Sequence, residues 1–301
     1  MKAVVLAAYG DTSMLELRDL PNPHAEAASI VVRMAGAGIN PIDWKMRSGA
    51  AKERFPVSFP GLLGRDASGV VVEVGPAVSA FVPGDRVLGL VKGAYAELVA
   101  APAEDWAKVP EGLDLVDAGA LPLVLLTGGQ LVERAVNPSA RDTVLVTGAV
   151  GGVGRVAVYA AKSRGAKTWA AVRGRQRAEA ELLGADGVVA LDDEADIAKL
   201  PSLDAIADTV GGESVQRLYG KLKAGGVIGS VVGEPHGAKA KGFVVQTFVA
   251  SADTAMLAKY AAAVAEKKLL IPIAKRLPLA QAGQAHALAE DHPGGKILLV
   301  G

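Results

Sequence analysis

Short apolar runs separated by turn formers occupy the first hundred residues. The segments "SIVVRMA" (29–35), "SGVVVEVG" (68–75), "DRVLGLV" (85–91) and "YAELVAA" (95–101) are bounded by glycine, proline or aspartate. Glycine allows positive φ and proline presets φ near −65°, so such boundaries predict strands joined by tight turns. The opening "AVVLAAYG" (3–10) is short and is followed by Asp11 and Glu16. It reads as a first strand rather than a secretory core. The pattern changes after about residue 115. "TVLVTG" (143–148), "KTWAAV" (167–172), "LDAIADTVGG" (203–212) and "VIGSVVG" (227–233) predict strands. Between them, 154–165, which carries helical apolar spacing, 174–186 and 213–226 predict helices stopped by Gly165, Gly184 and the pair Gly225-Gly226. Further helices are predicted over 252–268 and 279–290, and "GKILLV" (295–300) closes the chain as a strand. A β-rich part followed by strand–helix alternation predicts an α/β protein with a parallel sheet.

Composition narrows the function. The chain has 301 residues, 32 basic and 32 acidic, which gives no general attraction to nucleic acid or anionic membrane. No apolar run approaches a membrane span. No targeting segment is visible, so a cytoplasmic location is the expectation. There is no cysteine, which removes disulfides, thiol nucleophiles and thiolate metal ligands. His24, His236, His286 and His292 show no ligand spacing and are expected at the surface.

The most specific feature is "VLVTGAVGGVG" (144–154), a buried strand running through glycines into a helix. A helix N-terminus offers unpaired N–H groups and the positive end of the dipole, suited to a pyrophosphate. In the dinucleotide-binding register the motif is Ala149-x-Gly151-x-x-Gly154, with alanine in place of the first glycine, and Gly152 and Val153 lie within it. The next strand ends at Arg173, with Arg175 and Arg177 behind it and no acid at the strand end. Guanidinium pairs with a 2′-phosphate that a carboxylate would repel, so the cofactor expected is NADPH rather than NADH. The same glycines also fit a short-chain dehydrogenase fingerprint, with Tyr219 and Lys223 at Tyr-x-x-x-Lys spacing. About 140 residues precede the turn, which argues against that register. Tyr219 and Lys223 are expected on a helix.

Taken together, these segments make the chain resemble the medium-chain dehydrogenase/reductase superfamily, and more closely its zinc-free quinone oxidoreductase branch. The resemblance rests on "AGAGINPIDWKMRSG" (35–49), "FPGLLGRDASGVVVEVGPAVSAFVPGDRVLG" (59–89), "LTGGQLV" (126–132), the glycine turn, "DTVGG" (208–212) and "GGKILLVG" (294–301). It implies a GroES-like β-rich catalytic domain, residues 1–118 and 270–301, and a Rossmann cofactor domain with a doubly wound parallel sheet, residues 119–269. It also implies a cofactor in the cleft between them. Where zinc-dependent relatives carry a cysteine and a Gly-His-Glu, this chain has Asn40 and Gly64-Arg65-Asp66. A zinc-free site suits an electron-poor acceptor, a quinone or an α,β-unsaturated carbonyl, better than a simple alcohol.

By resemblance, Asn40 and Asp43 line the substrate pocket, Thr127 packs near the nicotinamide, and Val210 and Gly233 lie along the cofactor at strand ends. Asn40 could donate to a developing oxyanion, or it could simply shape the Asn40-Pro41 turn. Asp43 could instead hold Lys45, Arg47 or the loop backbone. Trp44 could stack on a flat substrate. Tyr95 and Lys45 are conceivable proton donors. The expected partners are a small-molecule substrate and, by resemblance, a second copy of the chain in a homodimer. The alternatives are a non-catalytic NADPH-binding or sensor protein and an alcohol dehydrogenase, because fold and cofactor do not fix the reaction.

Overall fold

The computed structural model describes residues 1–301. The β-rich part begins with β1 (Lys2–Leu6), β2 (Leu15–Asp19), β3 (Ser29–Gly38), β4 (Gly61–Leu62), β5 (Asp66–Val74), β6 (Arg86–Leu90), β7 (Leu98–Pro102) and β8 (Trp106–Lys108). The short helix α1 (Pro41–Arg47) follows β3, and α2 (Leu115–Ala118) and α3 (Pro122–Gln130) follow β8. The alternating part contains β9 (Thr143–Thr147), α4 (Gly152–Ser163), β10 (Lys167–Val172), α5 (Arg177–Glu181), β11 (Gly187–Ala190), α6 (Glu194–Ala198), β12 (Leu203–Asp208), α7 (Glu213–Gln216), β13 (Leu222–Ser230) and β14 (Val244–Thr247). The chain closes with α8 (Thr254–Ala265), β15 (Ile273–Pro278), α9 (Ala282–Glu290) and β16 (Lys296–Val300).

Two compact units result, Met1–Leu123 with Ser251–Gly301, and Val124–Ala250. The first is therefore larger than the sequence division at 118 and 270 suggests. Helix α8 belongs to it and packs on β8. Its main sheet runs β15-β16-β3-β5-β6-β8, with β7 also paired to β3, and β2-β1-β4 form a small second sheet. The β3–β5 pairing shifts register twice, between Val31 and Val32 and between Met34 and Gly36. Gly36 is needed there, because a Cβ would stand 2.2 Å from the carbonyl oxygen of Val116. Alternating residues of β3 and β5 pack with Tyr95, Trp106 and Leu299 in one apolar core.

The second unit carries one all-parallel sheet in the order β11-β10-β9-β12-β13-β14. The order reverses at β9, so β9 and β12 flank the switch point where an open α/β sheet takes its ligands. The central strands are nearly continuous apolar runs, as burial on both faces requires. Their ends are tied by Asp208, which is wholly buried. Its Oδ1 accepts from Thr147 Oγ1 (2.8 Å), Val210 N (3.1 Å) and Gly211 N (2.9 Å), and its Oδ2 accepts from Ser230 Oγ (2.8 Å).

Several local expectations differ from the fold. The helix expected over 213–226 is only one turn, Glu213–Gln216, and β13 has begun by Leu222, which pairs with Leu203. Lys223 is accordingly a strand residue, ion-paired to Asp204 at 2.6 Å, and the buried Tyr219 donates its hydroxyl to the His236 carbonyl. Neither occupies the helix a Tyr-x-x-x-Lys pair needs. The helix expected over 174–186 shrinks to Arg177–Glu181, preceded by a 3-10 turn. Pairing energy of a parallel sheet overrides local helical spacing in such short connections.

Replacing Asp208 with alanine leaves four donors at the ends of three strands without their acceptor. The expected loss is about 3 kcal/mol of stability, measured as a lower urea midpoint with an unchanged slope.

Candidate active site

The second unit assembles a glycine turn that opens onto the N-terminus of α4. Gly148 adopts φ +61° and turns the chain out of β9. Ala149 N donates to the Ala171 carbonyl, which anchors the turn to β10. Gly154 is compulsory, because a Cβ there would lie 2.1 Å from the Gly148 oxygen and 2.8 Å from Ala149 Cα. That close approach seats α4 directly against the strand. Gly151 is the N-cap of α4, exposed and without a side chain over the helix end. The first-turn N–H groups of Gly152, Val153 and Gly154 have no carbonyl behind them in the helix. They face the positive pole of a 12-residue helix. The cradle thus fits a pyrophosphate.

The other residues expected along a cofactor are placed as follows. Thr127 is buried in α3, whose Gly128 packs on Val153. Val210 is half exposed and leans on Gly148. Gly233, at φ +114° with open space beside it, follows the end of β13. Arg173 follows β10 and is exposed, as is Arg175, and neither enters an ion pair. Arg177 does not join them, because its guanidinium is held by Asp196 and by the Val188 carbonyl at 3.3 Å. One acid was missed in the sequence. Asp192, just beyond β11, accepts from Gly174 N at 2.7 Å. Its 18-residue separation from Gly174 hid a contact that only strand adjacency creates.

The first unit buries a polar network in its apolar core. Asp66 Oδ1 accepts from Leu123 N (2.6 Å), and Asp66 Oδ2 accepts from Asn40 Nδ2 (2.8 Å). Lys296 Nζ donates to Asn40 Oδ1 (2.5 Å) and to the Ile39 carbonyl (3.1 Å), and stands 3.5 Å from Asp66. Both ends of the Asn40 amide are therefore engaged, and the residue is only 1% exposed. Asp43, wholly buried, accepts from Asn40 N at 2.8 Å and so fixes the entry to α1. It binds neither Lys45 nor Arg47 through a hydrogen bond. Trp44 is partly buried against the core and Lys45 is exposed.

His286 is a clear correction. It is fully buried rather than at the surface, with Nδ1 3.4 Å from Arg47 Nη1 and Nε2 3.3 Å from the Tyr95 hydroxyl. Arg47 can only donate, so Nδ1 accepts and Nε2–H donates to Tyr95. The Tyr95 proton then points toward Asp43, whose Oδ1 has no other partner. Arg47 in turn meets Glu290 at 2.8 Å and donates to the Gly10 carbonyl at 3.2 Å. Burial pushes Asp43 up to about 7, helped by the Asp66 charge and opposed by Asn40 N, Lys296 and Tyr95. Burial and the Arg47 charge pull His286 down to about 3. Burial likewise drives Asp66 up and Lys296 down, each restrained by the other's charge.

Comparison with known proteins agrees with this architecture. Residues 26–111 match the alcohol dehydrogenase GroES-like domain, and residues 183–299 match the zinc-binding dehydrogenase domain. A chloroplastic quinone-oxidoreductase homologue of Spinacia oleracea is 31% identical over 199 residues, covering 63% of this chain and 60% of that protein. The mitochondrial NAD(P)H oxidoreductase RTN4IP1 of Danio rerio is 33% identical over 251 residues, covering 74% and 64%. These alignments thus span less than two thirds of either relative's length. The solved quinone oxidoreductase of Coxiella burnetii superposes with a TM-score of 0.89 at 30% identity, over 100% of this chain and 99% of that one. The chain belongs to the medium-chain dehydrogenase/reductase superfamily. Within it, the chain falls in the quinone oxidoreductase branch.

Zinc, implied by the second domain's description, does not fit these residues. The chain has no cysteine, and the Asn40 amide already lies between a lysine ammonium and a carboxylate. No group of three His, Asp or Glu side chains has the spacing to hold a metal ion.

The raised Asp43 and lowered His286 have opposite linkage. Asp43 contributes stability that is complete below about pH 4 and is lost as pH rises through about 7. His286 contributes stability present above its ordinary value and lost as pH falls toward about 3. Asp43→Asn removes only the first. Its stability relative to the parent should rise from about pH 5 to pH 7, by at most about 1.4 kcal/mol per pH unit, and then level off. Chemical melts across that range check this, and a pH-independent difference would contradict it.

Proposed function

We propose that the protein is an NADPH-dependent oxidoreductase that reduces a quinone or an α,β-unsaturated carbonyl without zinc. The observation that carries this reading is the glycine cradle at the sheet's switch point with two unpaired arginines, Arg173 and Arg175, at the neighbouring strand end. When bound, the nicotinamide supplies hydride. Gly152 and Val153 would hold its pyrophosphate through backbone N–H groups, and Gly151, whose own N–H donates to the Gly148 carbonyl, would let it approach the helix end without a side chain in the way. Arg173 and Arg175 would pair with a 2′-phosphate. Asp192 accepts from Gly174 N and forms no ion pair with either arginine. Thr127, Val210 and Gly233 would border the rest of the cofactor.

On the acceptor side, the network supports a positioning role for Asn40 and Asp43. Lys296 and Asp66 hold the Asn40 amide, and Asp43 holds its backbone. The loop before α1 is thereby fixed for substrate rather than free to rearrange. Buried Asp43 has no access to solvent, so the proton that completes the reduction reaches the product from water or from an exposed group. An electron-poor acceptor tolerates the lack of a metal Lewis acid, whereas an alkoxide would lack charge stabilisation. No helix is long and apolar enough to cross a membrane. A cytoplasmic homodimer acting on a small molecule completes the proposal.

NADPH oxidation in the presence of a panel of quinones and enones tests the activity. Arg173→Ala together with Arg175→Ala should raise the KM for NADPH at least tenfold and leave that for NADH within about twofold, since each lost charged hydrogen bond is worth roughly 1.5–3 kcal/mol. An equal effect on both cofactors would remove the NADPH assignment, and no turnover with any acceptor would remove the reductase.

A further inference from the structure

The first unit contains a cavity of about 370 Å3 that the network above does not use. Arg65 and Lys92 stand in its wall with Asp105, and Val91, Ala100 and Pro102 supply apolar surface. The volume is within the range of small-molecule sites. Arg65 is the unusual member. Its Nε is fully buried without a hydrogen-bond partner, and its guanidinium enters no ion pair. A guanidinium carries five donors, and buried donors in folded proteins are almost always satisfied. Lys92 is exposed and also has no ion-pair partner. Asp105 is near enough to feel both cations, yet neither forms a salt bridge with it. Two cations thus stand in the lining against a single carboxylate. The wall therefore presents an excess of positive charge beside apolar surface.

We propose that this cavity binds a small carboxylate carried on a compact apolar body, with Arg65 as the bidentate partner and Lys92 as the second cation. Planar guanidinium matches a carboxylate through two parallel hydrogen bonds. Ala100 and Pro102 leave room for an apolar ring and offer it no polar partner. Binding is independent of the reductase proposal, and the test reads binding directly.

Benzoate, its neutral isostere benzamide and inorganic phosphate serve as probes, titrated calorimetrically into the full chain. Benzoate is expected to bind at least tenfold more tightly than either of the others. Arg65→Met should weaken benzoate at least tenfold, and Lys92→Met several-fold, with far-UV circular dichroism unchanged. Lys92 is exposed, so its variant keeps the test readable if Arg65→Met does not fold. Equal binding of benzoate and benzamide overturns the charge recognition. Equal binding of phosphate overturns the apolar half of the site. Absence of benzoate binding, or unchanged affinity in a folded variant, overturns the proposal as a whole.

Discussion

A carboxylate with no access to water organises the first unit. Asp66 receives the backbone of Leu123, the Asn40 amide and the Lys296 charge, three elements that are far apart in sequence. An uncompensated carboxylate in that core would be prohibitively costly, so each partner is required once Asp66 is there. The loop before α1, the last strand and the start of α3 are thereby fixed to one another. Asn40 inherits its orientation from this arrangement. Breaking one partner leaves a buried charge, which costs far more than the net worth of the bond lost.

The second unit depends on space rather than charge. Gly154 and Gly148 let α4 sit against β9 closely enough to bring three backbone N–H groups to one point. Asp208 then fixes the adjoining strand ends, so the cradle is rigid without any side chain entering it. Rigid, water-exposed donors suit an anionic cofactor that must bind and leave repeatedly. The two units therefore use opposite devices, a buried paired charge in one and an open array of dipoles in the other.

Much of the fold was legible in the sequence because its signals are local. Strand alternation, glycine at the end of α4 and the cradle motif each depend on neighbours within a few residues. What was hidden depends on contacts across long separations. His286 was expected at the surface, because nothing near it in sequence shows that Arg47 and Tyr95 surround it. Asp192 reaches Gly174 only because β11 lies beside β10. Nothing near Lys296 in sequence marks its pairing with Asp66, and Arg177, grouped in sequence with Arg173 and Arg175, is drawn away by Asp196. The extent of α8's unit was likewise invisible, since its packing on β8 joins residues about 150 positions apart.

The proposed reaction passes a hydride from a nicotinamide held at the glycine turn to an electron-poor acceptor. The most direct measurement follows the label. NADPH carrying deuterium at the transferable position of the nicotinamide is incubated with the protein and an enone, and the product is analysed by mass spectrometry and NMR. One deuterium per product molecule, at the β-carbon and from a single face of the ring, is the predicted result. Product without the label, or NADPH consumed with the label lost to solvent, would contradict it.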